Sequence, residues 1–197
     1  DGNTNYGKSD LFIIKYNNNG VKQWTQQLGS PSHDKGFGIS IDSSDQIYVT
    51  GYTEGEFDGK SNSGRSDIIL VKYNVDGVRM WTQMIGTHLD DIGYSLTVDS
   101  LDNVYVTGST YGEFYGEKNK GGRDIILVIF DSDGVKKWSN QIGTSSNDNV
   151  LQVITDKSDN IYLTGLTEGG FGNNNFEVNC LYRPCTDMFL MKFSPED

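Results

Sequence analysis

A 57-residue spacing runs through the whole chain and leaves few folds open to it. Trp24, Trp81 and Trp138 are separated by 57 residues each, as are Tyr48, Tyr105 and Tyr162, and Gly51, Gly108 and Gly165. Gly20, Gly77 and Gly134 keep the same step, and so do Asp10, Asp67 and Asp124. The next member of that last set, Asp187, falls 63 residues on, because the loop before it is six residues longer. Self-similarity at this period marks a repeat architecture, in which one small unit cannot bury its apolar surface alone and stacks on its copies.

Each unit holds four short runs of apolar, β-branched and aromatic residues bounded by Gly, Asn, Asp and Ser, which read as strands A to D. In one unit they are Tyr94 to Val98, Val104 to Thr110, Asp124 to Phe130 and Val135 to Ile142. The A–B links (Asp42 to Gln46, Asp99 to Asn103, Asp156 to Asn160) and the C–D links (Asn17 to Gly20, Asn74 to Gly77, Asp131 to Gly134) carry the Asn, Asp and Gly that hairpin turns need for positive φ. The chain has no alanine and 24 glycines, about 12% against a usual ~7%, which again favours strands over helices. Four antiparallel strands per repeat predict an all-β fold, a partial β-propeller of about three and a quarter four-stranded blades. Residues 1–29 supply strands C and D of a first blade, 30–86 a second blade, 87–143 a third, and 144–197 strands A to C of a fourth. The open blade faces are expected to be covered by further blades or by another copy.

The recurrent residues have structural explanations. Trp24, Trp81 and Trp138 on strand D are expected to fill the seams between blades. Asp34, Asp91 and Asp148 before strand A, with Asp10, Asp67, Asp124 and Asp187 before strand C, read as acceptors of backbone N–H groups in the loops. Phe57, Phe114 and Phe171 are expected to tuck against their own blades. His33 and His88 occupy different repeat positions, His33 aligning with Asp90 and His88 with Pro31, and read as loop residues rather than a general base. No Gly-x-Ser-x-Gly elbow, His-Glu-x-x-His helix or phosphate-cradling loop is present in the sequence.

With 16 Lys and Arg against 27 Asp and Glu, the net charge of −11 repels nucleic acid and anionic membrane surfaces. No apolar run approaches the ~20 residues of a membrane-spanning helix. Calcium is the one cofactor with residues behind it: Asp131 and Asp133 put two carboxylates in one turn. The equivalent turns hold Asn17 to Asn19 and Asn74 to Asp76, an ordinary hairpin composition. Cys180 and Cys185, five residues apart around Pro184, read as a local disulfide and so as a sign of an oxidising compartment. The B–C loops (Thr53 to Ser66, Thr110 to Arg123, Thr167 to Thr186) are long enough to be functional. Their Glu54, Arg65, Glu113, Tyr115, Asn173 and Tyr182 are the candidate contacts for a protein or glycan.

The unit Ser66-Asp67-Ile68-Ile69-Leu70-Val71-Lys72-Tyr73-Asn74-Val75-Asp76-Gly77, followed by Trp81, Ile85-Gly86, Asp91 and Asp102-Asn103-Val104-Tyr105-Val106-Thr107-Gly108-Ser109-Thr110 with Phe114, resembles the bacterial seven-bladed β-propeller (SBBP) repeat family over nearly the whole chain. The resemblance implies a secreted or surface-exposed, non-enzymatic scaffold. Two alternatives remain: a structural subunit that self-assembles through open blade faces and edges, or an accessory portion of a secreted enzyme.

Overall fold

The structure, a computed structural model, describes residues 4–171 and 186–193. Thirteen strands, and no helix, form the regular structure of these residues. They make four antiparallel sheets in chain order. β1 (Leu11–Tyr16) pairs with β2 (Lys22–Leu28). β3 (Asp34–Ile41), β4 (Ile47–Thr53), β5 (Asp67–Tyr73) and β6 (Arg79–Ile85) form the second sheet. β7 (Asp91–Val98), β8 (Val104–Thr110), β9 (Asp124–Phe130) and β10 (Lys136–Ile142) form the third, and β11 (Asp148–Thr155), β12 (Ile161–Thr167) and β13 (Asp187–Phe193) the fourth. Each strand pairs with its sequence neighbour, so every sheet is a meander and every sheet is a blade.

Three apolar clusters lie between consecutive blades. Strand C explains how one sheet serves two of them. Ile69 and Val71 of β5 face the first blade, while Ile68 and Leu70 face the third, and all four are 0% exposed. In β9, Ile125 and Leu127 face the fourth blade and Ile126 and Val128 the second. A strand buried on both faces needs apolar residues at every position, so this strand reads as a continuous run instead of an alternating one. Each such side chain stabilises the stack by about 1.5–3 kcal/mol.

Strand A begins earlier than the apolar pattern predicts, at Asp91 rather than Tyr94. A β-bulge is the cause. Gly93 pairs with Gly108 and Ser95 with Thr107, leaving Tyr94 unpaired and breaking the alternation there. The same bulge isolates Phe37 in β3 and Leu151 in β11. The rings of Phe37 and Tyr94 stack across the blades, with centroids 5.8 Å apart.

Two polar staples tie neighbouring blades at the turn end. In the first, strand D reaches forward: Trp24 Nε1 donates to Val75 O at 3.2 Å, and Trp81 Nε1 to Ser132 O at 3.3 Å. The indoles lie on Gly77 and Gly134, whose φ values of +79° and +80° require glycine and where a Cβ would come within about 3 Å of the ring. Trp24 and Trp81 therefore sit in the seams between blades. Trp138 differs: it is 41% exposed, beside an open cleft of about 440 Å³. Residues 194–197, which align in sequence with the turn that Trp81 contacts, lie outside the described residues.

In the second staple the A–B turn reaches back. Asp102 accepts the Ser43 N–H at 2.9 Å and the Ser43 hydroxyl at 2.8 Å. Asp159 accepts the same pair of donors from Ser100, at 3.0 and 2.6 Å. Both aspartates, and Asp45 in the second blade, have φ near +60°.

Candidate binding surface

At the loop end of the blades the recurrent aspartates each commit one carboxylate oxygen to the loops, while the other oxygen of Asp10, Asp34, Asp67, Asp91 and Asp124 is buried without a hydrogen-bond partner among the described residues. Asp10, Asp67 and Asp124 accept the backbone N–H of Tyr6, Ser63 and Lys120 at 2.8, 2.7 and 2.8 Å. Their other oxygen rests against Gly29, Gly86 and Gly143, where an added Cβ would lie only 2.3, 2.2 and 2.1 Å away. The glycine after strand D is thus fixed by a carboxylate, not by backbone conformation. Asp34, Asp91 and Asp148 accept both the N–H and the hydroxyl of Ser30, Thr87 and Thr144. Burial pushes Asp67 and Asp91 above the usual carboxylate range, and the Asp67 charge adds to the effect at Asp91.

A glutamine separates the blades. Gln27 Nε2 donates to Asp10 at 2.7 Å and Gln141 Nε2 to Asp124 at 2.8 Å, but Met84 stands at that position in the second blade. Asp67 is left with backbone and hydroxyl donors from its own loop.

The B–C loops of the second and third blades do not stand away from the rim: each contains a two-residue hairpin, with Phe57 bridged to Lys60 and Phe114 to Glu117. The tips, Asp58-Gly59 and Tyr115-Gly116, have positive φ at both positions, as a type I′ turn requires. Phe57 and Phe114 enter the clusters between blades, 0% and 2% exposed. The fully buried Gln141 holds the third blade's loop down, accepting from Phe114 N and donating to Gly112 O. The tips lean along strand D to its first residues: Asp58 pairs with Arg79 at 2.7 Å, and the Lys136 ammonium lies 3.6 Å from the centre of the Tyr115 ring. The fold-back places Tyr115, half exposed, on the blade flank rather than on the crest.

Of the other candidates, Glu54, Arg65 and Glu113 are exposed. Arg65 lies 3.6 Å from Asp90. Among the described residues, Glu54, Arg65, Glu113 and Tyr115 make no hydrogen bond or ion pair with one another. Asn173, Tyr182, Cys180 and Cys185 lie outside the described residues. Asp131 Oδ1 accepts the N–H of Asp133 and Val135, at 3.1 and 2.9 Å. Asn17 and Asn74 fill that acceptor role in the equivalent turns. No cluster of three or more metal-ligating side chains occurs among the described residues.

A further surface emerges where the residue before strand C meets the residue before strand A of the next blade. Ser9 Oγ lies 3.0 Å from His33 Nδ1; Ser66 Oγ donates to Asp90 at 3.3 Å; Arg123 N donates to Asn147 Oδ1 at 3.1 Å. Asn147 also donates to Glu168 at 2.6 Å, and the Arg123 guanidinium stacks over Tyr111 at 5.1 Å. One slot thus holds three different polar sets along one side of the array. Its sequence signal was the alignment of His33 with Asp90, legible as a loop equivalence but silent on the partner 24 residues earlier.

A model of the β-propeller repeat (SBBP) matches the chain three times, at residues 23–58, 81–115 and 137–172. Two curated proteins are similar over most of its length. An uncharacterized WD repeat-containing protein, L264, of Acanthamoeba polyphaga mimivirus is 27% identical over 185 residues, which cover 74% of this chain and 13% of that protein. The regulatory protein FlaEY of Caulobacter vibrioides is 25% identical over 179 residues, 83% of this chain and 19% of that protein. The chain spans less than a fifth of the length of either. No helix among the described residues is long and apolar enough to cross a membrane.

Proposed function

The chain belongs to the SBBP β-propeller repeat family, and on that premise we propose that it is a non-enzymatic scaffold that binds protein through the crest where the B–C loops meet the D–A loops. The observation that carries this reading is the division of labour within the repeat. Residues that recur in every blade are spent on seams and turns, whereas the blade-junction slot changes from Ser9–His33 to Ser66–Asp90 to Arg123–Asn147. Exposed Glu54 and Arg65 flank it, and Glu113 lies on the B–C loop of the third blade. A rigid frame with a varied polar crest suits specific contact with another chain. A repeat protein of mimivirus and a regulatory protein of Caulobacter fit a recognition role by their names. We place the scaffold outside the cell or at its surface because Cys180 and Cys185 are five residues apart; intact mass with and without reductant checks the pair.

The test is selection against a displayed peptide library and a glycan array in parallel, followed by the triple variant Glu54→Ala, Arg65→Ala, Glu113→Ala. Peptide ligands that lose at least tenfold in affinity, with an unchanged unfolding midpoint, support the crest. Ligands that bind the variant equally well, or glycans selected in their place, overturn it. A second reading, end-to-end assembly of copies, draws on Phe12, Tyr16, Met188 and Leu190, all more than half exposed on the outer sheets. Sedimentation across a hundredfold range of concentration separates the two.

A further inference from the structure

Building on the crest as the protein-binding surface, we infer that Arg123 sets its specificity: the guanidinium takes the carboxylate of an Asp or Glu side chain on the bound protein, and Tyr111 is its positioning residue. Transposed by 57 residues, position 111 falls on Glu54 in the second blade and on Glu168 in the fourth, and position 123 falls on Ser66 in the second. The flanking blades therefore carry a carboxylate where the third carries a phenol. In none of these blades do the acid and the arginine occur together.

The consequence is a guanidinium that is held in place but not neutralised. Arg123 Nη2 donates to the Tyr111 hydroxyl at 3.0 Å, and the guanidinium carbon lies 5.1 Å from the centre of the Tyr111 ring. The backbone is fixed on both sides of the pair. Arg123 N donates to Asn147 Oδ1 at 3.1 Å, Asp148 N to Arg123 O at 2.7 Å, and Tyr111 N to Asp90 O at 3.2 Å. The carboxylates joined to the pair through these neighbours are engaged elsewhere: Glu168 accepts from Asn147 at 2.6 Å, and Asp90 lies 3.6 Å from Arg65. Arg123 itself makes no ion pair among the described residues.

Tyr111 is 39% exposed, so the pair opens to solvent. A guanidinium presents a planar fork of N–H donors that matches a carboxylate, and the Tyr111 hydroxyl leaves most of that fork unused. A side chain already held against a ring also loses little freedom when it binds. A carboxylate suits the site better than a phosphate, because a single cation balances a single charge and the net charge of −11 opposes a dianion.

The test selects two displayed peptide libraries against the intact chain, one containing Asp and Glu and one lacking both. Crest binders, those weakened by the triple variant at Glu54, Arg65 and Glu113, are expected from the first. Replacing the peptide's acid by its amide should weaken binding about tenfold, as loss of a charge-assisted contact does. Arg123→Gln should cost the same, and the two changes together no more. Tyr111→Glu should supply the anion from within and erase the preference for the acid over its amide, with an unchanged unfolding midpoint, whereas Tyr111→Phe should keep most of that preference. Acid-free crest binders of equal affinity, or acidic peptides that bind Arg123→Gln unchanged, overturn the inference and leave the crest standing as a binding surface. A phosphoserine that binds more tightly than the acid it replaces also overturns it. The absence of any crest binder from either library overturns both.

Discussion

Met84 is where one side chain decides how a buried charge is carried. The first and third blades give their strand-C aspartate an amide donor from Gln27 and Gln141, and the second has Met84 at that repeat position. Burial raises the Asp67 pKa above 3.8. A carboxyl with a raised folded pKa adds stability below its unfolded value and loses that contribution as pH rises through the folded one. At neutral pH, then, charged Asp67 opposes folding. Met84→Gln should supply the missing donor and raise stability by about 1 kcal/mol at pH 7, since a hydrogen bond to a charged group outweighs the lost thioether packing. The gain should vanish once pH falls below 3.8, where the carboxyl is protonated in both states. Denaturant titrations at pH 7 and pH 3 measure both. The sequence displayed this substitution openly, yet its meaning depends on a contact across 17 residues that no spacing reveals.

Strands were the most legible level and loops the least. The strand-C run of β9 matches its apolar pattern from Asp124 to Phe130, because two-sided burial leaves no polar position to blur the ends. Strand A hid its first turn behind the bulge at Tyr94. Asp58-Gly59, an Asp-Gly pair suited to a tight turn, forms the tip of the second blade's B–C loop. Where the tips would lie was illegible, because Gln141 and Arg79, which position them, belong to strand D. The strand-D tryptophans allow an internal comparison. Trp81 packs against the cluster between the second and third blades, with Tyr48 at 5.9 Å, and donates to the next turn. Trp81→Ala should cost about 3–5 kcal/mol, in the range for removing a packed aromatic. Trp138→Ala, at 41% exposure, should cost less than half as much. Unfolding midpoints of the two variants check the order.

Blades touch only their neighbours, so stability is a sum of blade and seam contributions. The second and third blades have a seam on each side, and β5 and β9 are fully paired. Native-state hydrogen exchange should find the slowest amides in β5 and β9 and faster ones in β1 and β13, with opening free energies graded outward from the middle. Equal protection across all four sheets would show a single cooperative unit instead. This layered build was the part of the molecule most plainly written in the chain, since the 57-residue step fixes which faces meet.

The carboxylate clips between A–B turns all point one way, each later blade reaching back to a serine of the one before. The stack is accordingly directional: Asp102 and Asp159 clasp Ser43 and Ser100 only when each blade follows its neighbour in the same sense, and Lys157 takes the serine position in the fourth blade.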